Sequence, residues 1–158
     1  MGTISAAPVP TPVANASGKT PVAPPPRRIR VLIADDEFHV RQVVAGIVRA
    51  LGAEVIAEAA DGGEAVDAFT RLRPDLVLLD INMPHMRGDE ALTRILAIDP
   101  GAVVIMMTAQ DTIDSVHDCL DRGARHYILK SNRAEEILQL LAECWPDCVA
   151  HVRNTESP

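Results

Sequence analysis

Three largely apolar runs in this chain, and a fourth strand-like segment over residues 125–129, end abruptly in residues that could do chemistry. Residues 29–34 lead into Asp35-Asp36-Glu37, residues 76–79 into Asp80, residues 102–107 into Thr108, and residues 125–129 into Lys130. Short, partly β-branched runs of this kind predict strands buried on both faces, as in a parallel sheet. If the strands are parallel, their carboxyl ends share one edge, where open α/β sheets place their ligand crevice. An acidic pair, a third Asp, a hydroxyl and a Lys would then converge. Three clustered carboxylates repel one another by roughly 4 kcal/mol per pair at about 4 Å and an effective dielectric near 20. A hard divalent cation relieves that repulsion, and Mg²⁺ in particular suits a few carboxylates, retained waters and a phosphate oxygen. The plainer alternatives are that Asp80 caps a turn or helix, that Lys130 only salt-bridges the acids, and that Thr108 and Tyr127 are ordinary strand residues.

The elements that must position these residues follow from periodicity. Val40, Val43, Val44, Ile47, Val48 and Leu51 recur at helical spacing, and Gly52 stops that helix. Val55, Ile56 and Ala57 predict a strand, Asp61-Gly62-Gly63 a turn, and residues 65–72 a helix that Pro74 terminates. After a loop over residues 83–88, Ala91, Leu92, Ile95 and Leu96 mark a helix that ends near Asp99-Pro100-Gly101. Ile113, Val116, Cys119 and Leu120 mark another, ended by Gly123; Ile137, Leu138, Leu140 and Leu141 mark the last, which Trp145-Pro146 is expected to close. Five strands alternating with five helices predict an α/β fold, a doubly wound parallel sheet with right-handed crossovers.

Composition sets the boundaries. The 158 residues, 47% of them hydrophobic, suffice for one domain with a real core. Residues 1–27 are rich in Ala and Pro, ending in Pro24-Pro25-Pro26, and are expected to be a disordered tail, with the domain over 28–146 and a short tail over 147–158. A formal net charge of −7 argues against direct nucleic-acid binding, which needs clustered basic residues. No apolar run approaches the roughly 20 residues that span a bilayer, and the N-terminus lacks a secretory pattern, so a cytoplasmic location without membrane insertion is expected. Cys119, Cys144 and Cys148 have no framework spacing and read as reduced thiols.

Taken in order, Asp35-Asp36-Glu37, Asp80 with Ile81-Asn82-Met83-Pro84-His85-Met86-Arg87-Gly88, Thr108-Ala109 and Lys130 resemble the signature of response-regulator receiver domains of the stand-alone, CheY-like type. The resemblance covers about residues 28–145. It implies the flavodoxin-like strand order 2-1-3-4-5. It further implies that Asp80 accepts a phosphoryl group from the phosphohistidine of a sensor histidine kinase or phosphotransfer protein. Mg²⁺ would be held by Asp36, Asp35, Asp80 and the main-chain carbonyl of Asn82. Lys130 would pair with a phosphoryl oxygen, Thr108 would hydrogen-bond the phosphoryl group, and Tyr127 would follow Thr108 as a switch. Asn82 and Gln110 would tune water access to the acyl phosphate. The expected output is a protein target on the face of the fourth helix, fifth strand and fifth helix, with homodimerisation on phosphorylation left open.

One departure from the family pattern is Ser131, which follows Lys130 where Pro in a cis peptide bond is usual. Either that bond is trans and the loop is rearranged, or the site carries strain. Three rival readings remain. A phosphorelay intermediate has the same chemistry with a different acceptor. An Asp-nucleophile phosphatase is disfavoured because Asn82 stands where such an enzyme carries a second Asp, so the chain is expected not to be an enzyme beyond assisting its own phosphorylation and dephosphorylation. A receiver-like binding module that is never phosphorylated is the third.

Overall fold

A computed structural model describes residues 27–109 and 113–155. The expected tail over residues 1–27, apart from Arg27, and Gln110 lie outside the described residues. The elements alternate strictly: β1 (Arg30–Ala34), α1 (Phe38–Ala50), β2 (Glu54–Ala59), α2 (Gly62–Leu72), β3 (Leu76–Asp80), α3 (Gly88–Ile98), β4 (Val104–Thr108), α4 (Ile113–Arg122), β5 (His126–Leu129) and α5 (Ala134–Thr155). The strands form one parallel sheet in the order β2-β1-β3-β4-β5.

Burial follows from that order. Every residue of the central strands β3 and β4 is buried, because helices cover both faces, whereas the edge strands β2 and β5 are only partly covered. Alternate strand residues feed two separate cores. Leu32, Val77, Leu79, Val104 and Met106 meet Ala65, Phe69, Leu92, Ile95 and Val116 from α2, α3 and α4. Val31, Ile33, Leu76, Leu78, Ile105 and Met107 meet Val44, Ile47, Val48, Ile137 and Leu141 from α1 and α5. With β1 between β2 and β3, the chain leaves β1 in one direction and returns past it in the other, so the sheet order reverses at the β1/β3 ends. That places the ligand crevice beside Asp35 and Asp80.

Three local expectations are corrected. Asp61-Gly62-Gly63 is no free turn: Asp61 is the N-cap of α2, its carboxylate accepting from the Glu64 N–H at 2.8 Å, while Glu64 reaches back to the Ala60 N–H at 2.7 Å. Gly88 belongs to α3 rather than to the preceding loop. Trp145-Pro146 does not close α5, which runs through Pro146 to Thr155, so the expected tail from residue 147 is largely helical. Proline's fixed φ is compatible with a helix, although its ring crowds the Ala142 carbonyl and forfeits the hydrogen bond to it.

The opposite edge of the sheet is tied by Asp75, which is buried and accepts from the Arg27 guanidinium at 2.6 Å and the Arg30 N–H at 2.8 Å. Asp75→Ala strands that N–H at the start of β1. We expect a loss of about 2 kcal/mol, the usual range for hydrogen bonds to a charged group, measured as a lower urea midpoint at unchanged slope.

Candidate functional site

The strand ends bring Asp35, Asp36, Asp80 and Lys130 together. Asp35 follows β1 directly, and its backbone groups and one carboxylate oxygen are hydrogen-bonded. Its N–H donates to the Ala59 carbonyl at 3.0 Å, its Oδ1 accepts from the Glu37 N–H at 2.9 Å, and its carbonyl accepts from Arg41 Nη1 at 2.7 Å. Asp80 ends β3, is 2% exposed, and receives the Asn82 N–H at 3.4 Å. Asp36 is exposed, and one oxygen from each of the three carboxylates lies within 4.8 Å of the others.

Lys130 reaches in from just beyond β5. Its ammonium stands 2.8 Å from Asp35 Oδ2, 3.1 Å from Asp80 Oδ2 and 3.4 Å from Glu37 Oε1. The described residues contain no cis peptide bond, so Lys130-Ser131 is trans. The lysine is positioned nonetheless, because its backbone N–H donates to the Thr108 carbonyl at 2.8 Å and the Asn132 N–H closes a turn onto the Leu129 carbonyl at 3.0 Å. The ladder between β4 and β5, rather than the geometry of the following bond, delivers the ammonium.

The electrostatics are those of an acid cluster with too little positive charge. Burial raises the pKa of Asp80 to about 6, the neighbouring Asp35 charge adds to this, and Lys130 with the Asn82 N–H opposes it. Burial likewise raises Asp35 against the pull of Lys130 and the Glu37 N–H. Burial works against the charge of Lys130, but the two carboxylates outweigh it and hold the ammonium above the ordinary lysine value. Asp35 Oδ2 and Asp80 Oδ2 are ion-paired to Lys130, yet neither accepts an aligned hydrogen bond, and both are buried. Two buried anionic oxygens left short of donors, with a third carboxylate beside them, fit a hard cation with oxygen ligands.

The remaining predicted residues sit around this centre. Thr108 ends β4 fully buried, its hydroxyl donating to the Ala109 carbonyl at 2.9 Å. Tyr127 in β5 is at the surface, its ring 5.9 Å from that of His126. The Asn82 side chain is exposed. Glu37, expected at this strand end without a role of its own, contributes a third anion to Lys130. Arg41, which holds the Asp35 carbonyl, is absent from the sequence expectations. Arg41 carries no local signal that separates it from any solvated arginine on the polar side of a helix.

The family model of the response regulator receiver domain matches residues 31–142. The CheY chemotaxis protein of Listeria monocytogenes is 42% identical over 113 residues, which are 72% of this chain and 95% of that protein. The CheY of Bacillus subtilis is 38% identical over 112 residues, 71% of this chain and 93% of that protein. Among solved structures, the CheX–CheY–BeF3–Mg²⁺ complex from Borrelia burgdorferi is similar at a TM-score of 0.68 and 38% identity, over 74% of this chain and 89% of that one. The response regulator domain of Thermotoga maritima CheB gives a TM-score of 0.69 at 30% identity, over 78% of this chain and 98% of that one. No helix among the described residues is long and apolar enough to cross a membrane.

Proposed function

The chain belongs to the response regulator receiver domain family and acts as a response regulator in two-component signal transduction; from that premise we propose that Asp80 is its phosphoacceptor. The observation that carries this reading is a buried strand-end carboxylate facing Lys130 at 3.1 Å, with an acid pair beside it. A carboxylate oxygen of Asp80 attacks the phosphorus of a phosphohistidine in line, the P–N bond breaks, and Asp80 becomes an acyl phosphate while the imidazole leaves.

Asp35, Asp36, Asp80 and the Asn82 carbonyl would hold Mg²⁺, an assignment supported by the donor-poor buried oxygens and by the ion in the similar Borrelia complex. When bound, the ion supplies positive charge to the transferring phosphoryl oxygens. Lys130 supplies a second, fixed point charge on the same group. The Thr108 hydroxyl exchanges the Ala109 carbonyl for a phosphoryl oxygen, and Tyr127 turns inward behind it. That changes the face of α4, β5 and α5, where a downstream protein would dock; a sensor histidine kinase or phosphotransfer protein is the donor. Asn82, and Gln110 outside the described residues, would set how readily water reaches the acyl phosphate. The receiver unit spans residues 28–146 on this reading, works in the cytoplasm, and does no chemistry beyond assisting its own phosphorylation and dephosphorylation.

Incubation with Mg²⁺ and acetyl phosphate should add one phosphoryl group by intact mass, and Asp80→Asn or EDTA should abolish it. An adduct that persists in Asp80→Asn would remove Asp80 from the role. Because the cation competes with the proton on a carboxylate whose pKa is about 6, Mg²⁺ should bind several-fold more weakly at pH 5 than at pH 7.5.

A further inference from the structure

Phe38, the first residue of α1, is 65% exposed, an unusual place for a large aromatic side chain. Its ring lies under the guanidinium of Arg41, 5.4 Å from centroid to Cζ. That guanidinium is itself well covered, the Arg41 side chain being 14% exposed. It joins three elements. Nη1 donates to the Asp35 carbonyl at 2.7 Å, Nε donates to Glu58 Oε2 of β2 at 3.0 Å, and the Gln42 amide adds contacts to the same carboxylate at 3.3 Å.

The presence of Glu58 on this side of the sheet depends on a register shift. Val31 pairs with Val55, but Leu32 pairs with Ala57, so Ile56 is an extra residue in β2. Beyond the shift Glu58 stands opposite Ile33, which belongs to the core beneath α1, and Ala59 stands opposite Ala34, which belongs to the other core. Without the bulge Glu58 would pair with Ala34 and face away from α1.

We propose that Arg41, held by Glu58 and covered by Phe38, is a positioning residue that fixes the Asp35–Asp36 peptide so that Asp36 meets the bound cation. This positioning role rests on Asp35, Asp36 and Asp80 holding the metal. A peptide unit is planar, so pinning the Asp35 carbonyl oxygen also restrains the Asp36 N–H and the Cα from which its side chain departs. Asp35 needs no such help, since its carboxylate is already held by the Glu37 N–H and Lys130. Asp36 is exposed and depends on its backbone for direction. A lysine at position 41 keeps the charge, but its single ammonium lacks the fork that serves a carbonyl and a carboxylate at once.

The test is Mn²⁺ binding to the full chain, followed by the electron paramagnetic resonance of the free ion. Arg41→Lys should weaken binding at least fivefold, and Glu58→Ala, which frees the guanidinium, at least twofold. In an Asp36→Asn background Arg41→Lys should cost nothing further, because Arg41 acts through Asp36. Unchanged affinity in Arg41→Lys, or a loss that simply adds to that of Asp36→Asn as a general loosening of α1 would, overturns the inference while leaving the metal site standing. A wild-type chain that takes up no Mn²⁺ overturns the metal site and the inference with it.

Discussion

Lys130→Met should lower the stability of the metal-free protein at pH 7 by about 2 kcal/mol. That is less than the roughly 3–5 kcal/mol of a fully buried pair, because the lysine retains 18% exposure. Methionine keeps the apolar stem and removes only the ammonium, so the loss reports on charge. Asp35 and Asp80 are then buried without a counter-ion, and the contributions with which Lys130 holds both pKa values down are gone. The pH dependence follows in sign. In the wild type Asp80 titrates at about 6 when folded and near 3.8 when unfolded, so the folded state binds more protons within that window and stability falls as pH rises through it. In the variant the folded value is higher still and the window extends upward. The deficit relative to wild type should therefore be largest at neutral pH and shrink by pH 5, where Asp80 protonates. Millimolar Mg²⁺ should recover much of it. Urea unfolding at the two pH values, with and without the ion, measures all of this; a deficit that is the same at both would mean that Lys130 contributes packing rather than charge.

Gly88→Ala should be more damaging still, through sterics alone. Gly88 opens α3 and donates its N–H to the Ile81 carbonyl at 2.8 Å, which brings its Cα against the backbone of the residue that ends β3. A Cβ there would overlap the Asp80 carbonyl oxygen and press on Asp80 C at 2.8 Å and Ile81 Cα at 2.9 Å. These are backbone atoms of a fully buried strand end, so no side-chain rotation relieves the contact. We expect a loss of about 3 kcal/mol, at the upper end of overpacking, together with slower phosphoryl acceptance, because the backbone that moves is that of Asp80. Gly46 is the control. It lies mid-helix in α1, is exposed, and a Cβ there meets nothing within 4 Å. Gly46→Ala should stabilise by about 0.5–1 kcal/mol through reduced backbone freedom in the unfolded chain. Chemical denaturation of the two variants beside wild type should thus give opposite shifts from the same substitution.

The positions of the chemical residues were legible because their signal is local. An apolar run long enough for one strand and ended by Asp, Thr or Lys states where the strand stops and what stands at its end. Parallel pairing then carries Asp35, Asp80, Thr108 and Lys130 to one edge whatever the details of the helices. The helices were legible for the same reason, with boundaries off where a cap or a proline decides. Asp61 caps α2 through the Glu64 N–H, with Glu64 reaching back to the Ala60 N–H besides, and Pro146 does not stop α5.

What the sequence alone determined is therefore which residues arrive at the site; how they are held there was decided by tertiary structure. Lys130 reaches Asp35 and Asp80 although its following bond is trans, because backbone pairing between β4 and β5 sets where its stem begins. Arg41 meets Glu58, 17 residues away, only after one extra residue in β2 turns that carboxylate toward α1. A register shift of one residue reverses every side chain beyond it and is fixed by the burial of both sheet faces together. No window of sequence contains that sum, which exists only once the strands are paired.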